Sequence, residues 1–193
     1  MNPARRHWLQ AAAALPLLGC AGVWAQSPPP VGGPAEVAAE ITGARLVGNG
    51  TLRFMGLRVY DARLWAGVTA PGPDWQAVPF ALELQYLRNL KGSAIAERSL
   101  KEMERQGEIG AVDAERWLGS MQQLFTDVKP GDRITGVNLP GVGARFFLNG
   151  QPRGELREVA FARLFFGIWL SPRTSEPAMR EQLLGLKTAR SAP

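Results

Sequence analysis

The chain has 193 residues, 46% hydrophobic and 20% charged, with six Trp, eight Phe and a formal net charge of +5. That balance describes one globular domain with an appendage and excludes a largely disordered chain. A single Cys excludes a disulfide framework, a Cys-rich zinc site and an iron–sulfur cluster, and no apolar run reaches the ~18–20 residues of a confident membrane span.

The chain opens with basic Arg5-Arg6, continues through the uncharged stretch Ala11 to Val23, and offers Val23-Trp24-Ala25 as a small-residue cleavage site before Gln26. This order predicts an export signal peptide over residues 1–26. Pro16, Gly19 and Gly22 would break a first helix of the fold there. Arg5-Arg6 with Trp8-Leu9-Gln10 resembles the twin-arginine export motif, and Leu17-Leu18-Gly19-Cys20 resembles a lipobox, in which Cys20 would become a lipidated first residue. Either reading places the mature protein in a bacterial periplasm, with a lipid anchor at Cys20 in the second. No transmembrane segment is expected once the signal is removed.

His7 and Cys20 are the only His and Cys. Cleavage after Ala25 would leave neither, so the mature chain could run no Ser-His-Asp or Cys-His mechanism and build no His-based zinc site. General base work would fall to Asp, Glu, Lys or Tyr. No cofactor and no metal are expected. Arg5 and Arg6 leave with the signal, and the other cations are interleaved with acids, as in Arg98-Ser99-Leu100-Lys101-Glu102. No basic stripe for nucleic acid results.

Residues 27–36, with Pro28-Pro29-Pro30 and Gly32-Gly33-Pro34, read as a linker. The fold is expected over 37–187, with a short tail at 188–193. Residues 37–47 read as short strands around a Thr42-Gly43 turn, and Gly48-Asn49-Gly50 as a further turn, since it lacks the third glycine and the following helix of a phosphate loop. Leu52 to Trp65 reads as one or two strands with Gly56 as a bulge. Phe80 to Tyr86 alternates as a strand. Ser93–Gln106 and Asp113–Phe125 carry helical periodicity, the latter through Trp117, Met121, Leu124 and Phe125. Strands follow at Arg133–Leu139, Ala144–Leu148 and Gln151–Leu156, the last two joined by the strong hairpin signal Asn149-Gly150. Glu158–Leu170 is a nearly apolar helix stopped before Pro172, and Glu176–Leu184 a last helix with Gly185 as its C-cap. Strands, two helices, strands and two helices make an α+β domain, an antiparallel sheet with helices packed on one face.

Three features are candidates for a site. Arg53, among Leu52, Phe54, Met55 and Leu57, would be costly to bury unpaired. It either faces solvent or holds a carboxylate, which its planar fork matches. Tyr60 and Tyr86, the only tyrosines, fall in strands, as core or as hydroxyls lining a cleft. Phe161, Phe165, Phe166 and Trp169 form an aromatic helix stripe, as core or as the wall of an apolar pocket.

Several of these stretches together resemble chalcone isomerase-like proteins, most closely the exported bacterial branch. They are Val59-Tyr60-Asp61-Ala62-Arg63-Leu64-Trp65, Gly131-Asp132-Arg133-Ile134, Leu148-Asn149-Gly150 and Phe165-Phe166-Gly167-Ile168-Trp169-Leu170, and the resemblance spans about residues 37–185. It implies an open-faced β-sandwich with a ligand cleft between sheet and helices. Plant members close a flavanone ring, and related non-catalytic members bind fatty acids in the same cleft. In both, an Arg near the start of a long strand faces the ligand's anionic group, and Arg53 is its match here, with Tyr60 at the next cleft position. Catalytic members also place Tyr and Asn on a cleft helix that corresponds to about Gly92–Met103, which holds neither. The implied function is therefore binding of a fatty acid or similar amphipathic carboxylate by Arg53, Tyr60 and Tyr86. The alternatives are a ring-closing intramolecular lyase, and an interaction protein with a filled cleft in which Arg53 pairs with an internal acid such as Glu83. Arg53 and Tyr60 are seven residues apart, so on a regular strand they face opposite sides. A bulge at Gly56 would bring them together.

Overall fold

A computed structural model describes residues 33–186. The signal segment, Cys20, most of the linker and the tail lie outside the described residues. Six strands form one antiparallel meander in sequence order: β1 (Arg45–Phe54), β2 (Leu57–Ala66), β3 (Phe80–Tyr86), β4 (Arg133–Leu139), β5 (Gly143–Leu148) and β6 (Gln151–Leu156). Four helices cover one face: α2 (Gly92–Glu104), α3 (Ala111–Leu124), α4 (Val159–Leu170) and α5 (Pro177–Leu183). A short helix, α1 (Ala35–Glu40), lies on the other face. Among the described residues no helix is long and apolar enough to cross a membrane.

The period of two along each strand sorts the two faces. Ala62, Leu64, Phe80, Leu82, Leu84, Ile134 and Phe146 point toward the helices and form the main core with Phe161, Phe165 and Phe166 of α4. Helix α4 is buried along most of its length because its sequence is apolar on nearly every side. It enters at Glu158, whose carboxylate accepts hydrogen bonds from Arg116 and from the Trp117 indole. Arg116, then Trp117, hold the Glu158 carboxyl below the usual carboxylate range.

On the opposite face Trp65, Ala81, Val137 and Phe147 pack against Val37 and Ile41 of α1. Charge fixes that helix. The buried Glu36 accepts from Arg133 and Thr135, and Glu40 accepts from Arg145. Glu83 accepts from Arg63 and the Trp65 indole. The internal acid considered as a partner for Arg53 is thus already satisfied, by other residues.

Three local expectations are corrected. Residues 37–40 are helical, because Ala35-Glu36-Val37-Ala38-Ala39-Glu40 combines good helix formers with an apolar stripe that the sheet covers. The Thr42-Gly43 turn stands, with Gly43 at φ +67°. Gly48-Asn49-Gly50 is not a turn but the middle of β1. Its glycines answer to packing: a Cβ on Gly48 would overlap the backbone oxygens of Gln182 and Leu183 at the C-terminal end of α5. Gly56 is not a bulge. Met55-Gly56 forms the two-residue hairpin turn between β1 and β2, with φ of 49° and 78°, the doubly positive pattern of a type I′ turn. The pairing shifts lie at Leu46/Gly48 and Leu52/Arg53 instead.

Gly48→Ala should therefore force α5 off β1. A loss of about 1–3 kcal/mol is expected, read as a fall in Tm of about 2–4 °C per kcal/mol. Gly43→Ala, with open space around its Cβ position, should cost only its left-handed backbone strain.

Candidate functional site

The helices do not close over the sheet everywhere. Between β1–β3 on one side and α2 and α4 on the other lies a cleft of about 430 Å³, within the range of small-molecule sites. Its walls are mostly apolar: Leu52 and Leu84 from the sheet, Ala94 and Ile95 from α2, and Phe165 and Ile168 from α4. The filled-cleft expectation does not hold. A more open depression of about 570 Å³ beside it holds Lys91, Asp127 and Lys129. Lys91 and Asp127 are already ion-paired there at 2.7 Å.

Polar groups enter the apolar cleft at few points. Tyr60 on β2 and Tyr86 on β3 are register partners, and their rings meet edge to face at 5.9 Å. The Trp169 indole N–H donates to the Tyr60 hydroxyl at 2.9 Å. That bond occupies a lone pair on the oxygen. The hydroxyl's own hydrogen has no acceptor among the described residues, nor has that of Tyr86. Burial pushes both phenols well above their ordinary pKa, so both stay neutral. Two neutral phenols presenting O–H into an apolar space are hydrogen-bond donors rather than bases.

Helix α2 adds charge. Arg98 forms an ion pair with Glu102 Oε1 at 2.7 Å, and Arg105 lies 3.5 Å from the other Glu102 oxygen, Oε2. That buried oxygen has no hydrogen bond. Arg98, Glu102 and Glu176 all act electrostatically on Tyr60. Arg88, just past β3, stands at the mouth without an ion pair among the described residues. No group of three His, Cys, Asp or Glu among them is placed to hold a metal.

Two of the three residues expected from sequence therefore meet in the cleft, and Arg53 does not. Leu52 and Phe54 line the cleft, so alternation turns Arg53 to the opposite side, where it is exposed. The shift that could have reconciled Arg53 with Tyr60 falls between them, but it leaves Leu52 paired with Tyr60 and Arg53 paired with Arg58. Arg98 was the cation to look for. Ile95, Arg98, Ser99 and Glu102 follow the i, i+3, i+4, i+7 spacing of one helix face, an ion pair on the face that also carries Ile95 and Ser99.

The family model for chalcone isomerase-like proteins matches residues 34–185. The chain belongs to that family. A Haemophilus influenzae protein described only as uncharacterized is 32% identical over 107 residues, covering 55% of this chain and 52% of that one. The chain thus spans about half the length of the curated relative it matches. Among solved structures, a fatty-acid binding protein of Arabidopsis thaliana superposes with a TM-score of 0.59 at 16% identity, over 73% of this chain and 86% of that one. This likeness is one of fold, the antiparallel sheet with helices packed against it.

Tyr60→Phe removes the only acceptor the Trp169 indole has among the described residues. A loss of about 1–3 kcal/mol is expected, with a shifted tryptophan emission spectrum. The raised phenol pKa values also set an alkaline limit. A phenol neutral in the fold but ionised in the unfolded chain contributes stability that is complete below the unfolded pKa of about 10. That stability is lost as pH rises from there through the folded value. Tyrosinate absorbance should accordingly appear only together with unfolding. A titration of folded protein near pH 10, with native circular dichroism retained, would contradict the burial of both rings.

Proposed function

We propose that this is a non-catalytic member of its family that holds a fatty acid or similar amphipathic carboxylate in the sheet–helix cleft. The observation that carries the reading is the pair of unsatisfied phenol O–H donors in an apolar cleft beside Arg98. The carboxylate would accept from the Tyr60 hydroxyl and from Arg98. A guanidinium has five N–H donors, so Arg98 can serve a ligand while keeping Glu102. The chain would lie along Leu84, Phe125, Ile134, Phe165 and Ile168. Each methylene removed from water contributes roughly 0.8 kcal/mol, so the tail supplies affinity and the polar end supplies direction. The fatty-acid binding protein of similar fold supports this choice of ligand. Helix α2 carries neither Tyr nor Asn, which weighs against the ring-closing alternative.

The proposal includes export. The basic, apolar and small-residue order of residues 1–26 supports a periplasmic protein of bacterial origin, either cleaved after Ala25 or lipidated at Cys20. The intact mass of protein recovered from a periplasmic fraction distinguishes these ends, and an uncleaved chain retained in the cytoplasm contradicts both.

The ligand is tested by mass spectrometry of an organic extract from protein purified without detergent. Wild type and Arg53→Ala should carry fatty acid near one per chain. Arg98→Gln and Tyr60→Phe should carry markedly less while still melting cooperatively. A wild-type protein that is empty and takes up no added fatty acid overturns the reading.

A further inference from the structure

The turn between β1 and β2 breaks two rules at once. Its first residue, Met55, sits at φ +49°, a conformation that Asn and Gly adopt far more readily than Met. The turn between β5 and β6 has the same geometry and places Asn149 there. Met55 is also 85% exposed, and Phe54 and Leu57 beside it are 58% and 54% exposed. Three large apolar side chains thus stand together on one fingertip, where apolar surface signals an interaction site.

Charge surrounds the tip. Arg53 and Arg58 are direct register partners at the base of the turn, and like charges directly opposite one another are destabilising. Arg58 is compensated by Asp61 at 3.1 Å. Arg53 has no partner among the described residues, and neither has Arg88, which lines the cleft just past β3. Phe54 belongs to both features, being part of the tip and part of the cleft lining.

We propose that the Phe54-Met55-Gly56-Leu57 turn is a membrane-docking tip that inserts into an anionic bilayer surface. Arg53, Arg58 and Arg88 would meet the lipid phosphates, holding the cleft mouth against the bilayer. An apolar insertion combined with a basic cluster is the pair of signals that gives stable yet reversible attachment. Docking by the tip does not depend on what the cleft holds.

The test uses the full chain with Cys20→Ala and Met55→Cys, labelled at residue 55 with a polarity-sensitive fluorophore. Phosphatidylcholine vesicles are compared with and without phosphatidylglycerol. A blue shift and brightening on the anionic vesicles is expected. In unlabelled protein, Arg53→Glu should weaken anionic-vesicle binding about five-fold or more. Met55→Asn should weaken it about ten-fold yet melt no lower than wild type, because Asn suits the turn. A fluorophore that stays in water while the protein co-sediments with vesicles overturns the proposal. So does a spectral change that needs no lipid and grows with protein concentration, which would assign the tip to contact between copies. Fatty-acid content and vesicle docking measured together in wild type separate the two ideas. Retained ligand without docking removes the tip alone, and docking by an empty protein removes the ligand alone.

Discussion

The hydrogen bond from the Trp169 indole to the Tyr60 hydroxyl ties α4 to the second strand across the cleft. A buried indole N–H without an acceptor is costly, so the two rings hold each other at a fixed separation. Tyr86 and Phe165 brace the pair from either side, at 5.9 Å from Tyr60 and 5.5 Å from Trp169. With α4 and β2 pinned here, the sheet and the helices cannot slide together to fill the space between them. The same bond decides the chemistry of Tyr60, since an oxygen that already accepts is left with a proton to give.

Strand parity settles which cation can share that space. Residues 52 and 54 face the helices, so 53 cannot. The shift after Leu52 adds one residue to β2 but does not rotate Arg53 inward, because it falls on the partner strand. Arg53 therefore stays with the hairpin, and the charged residues that line the cleft are Arg98 and Glu102 of α2, with Arg88 after β3 and Glu176 before α5. A motif matched by position along a strand is only as good as the register on which it rests.

Much of the architecture was legible because period and turn chemistry agree. The three strands from Arg133 to Leu156 follow directly from alternation and from Asn149-Gly150, whose φ values the turn requires. The apolar run of α4 announced its own burial. The misread stretches are those where tertiary contact outweighs local preference. Gly48 and Gly50 look like turn residues but are small because α5 lies on them. Met55 gives no turn signal at all, so the sequence leaves one strand or two open over Leu52–Trp65, and Gly56 reads as a bulge where it is the second residue of a turn. Of the cleft, the tyrosines were legible as rare aromatics in strands. Arg98 was not, because an i, i+4 pair with Glu102 looks the same on a solvated face as at the rim of a cavity.

The buried acids separate what holds the fold from what faces a ligand. Glu36 and Glu83 lie under the outer face, and their carboxylates are met by Arg133, Thr135, Arg63 and Trp65. Such satisfied networks make a structure rigid. On the cleft side the pattern reverses. Glu102 Oε2 lacks a hydrogen bond, Gln106 Oε1 one turn on lacks one too, and both tyrosine hydroxyls keep an unused proton. Native interiors rarely leave such capacity open. Of this open capacity, what faces the apolar cleft is the pair of phenol protons on Tyr60 and Tyr86, donors set on the sheet wall opposite Phe165 and Ile168 of α4.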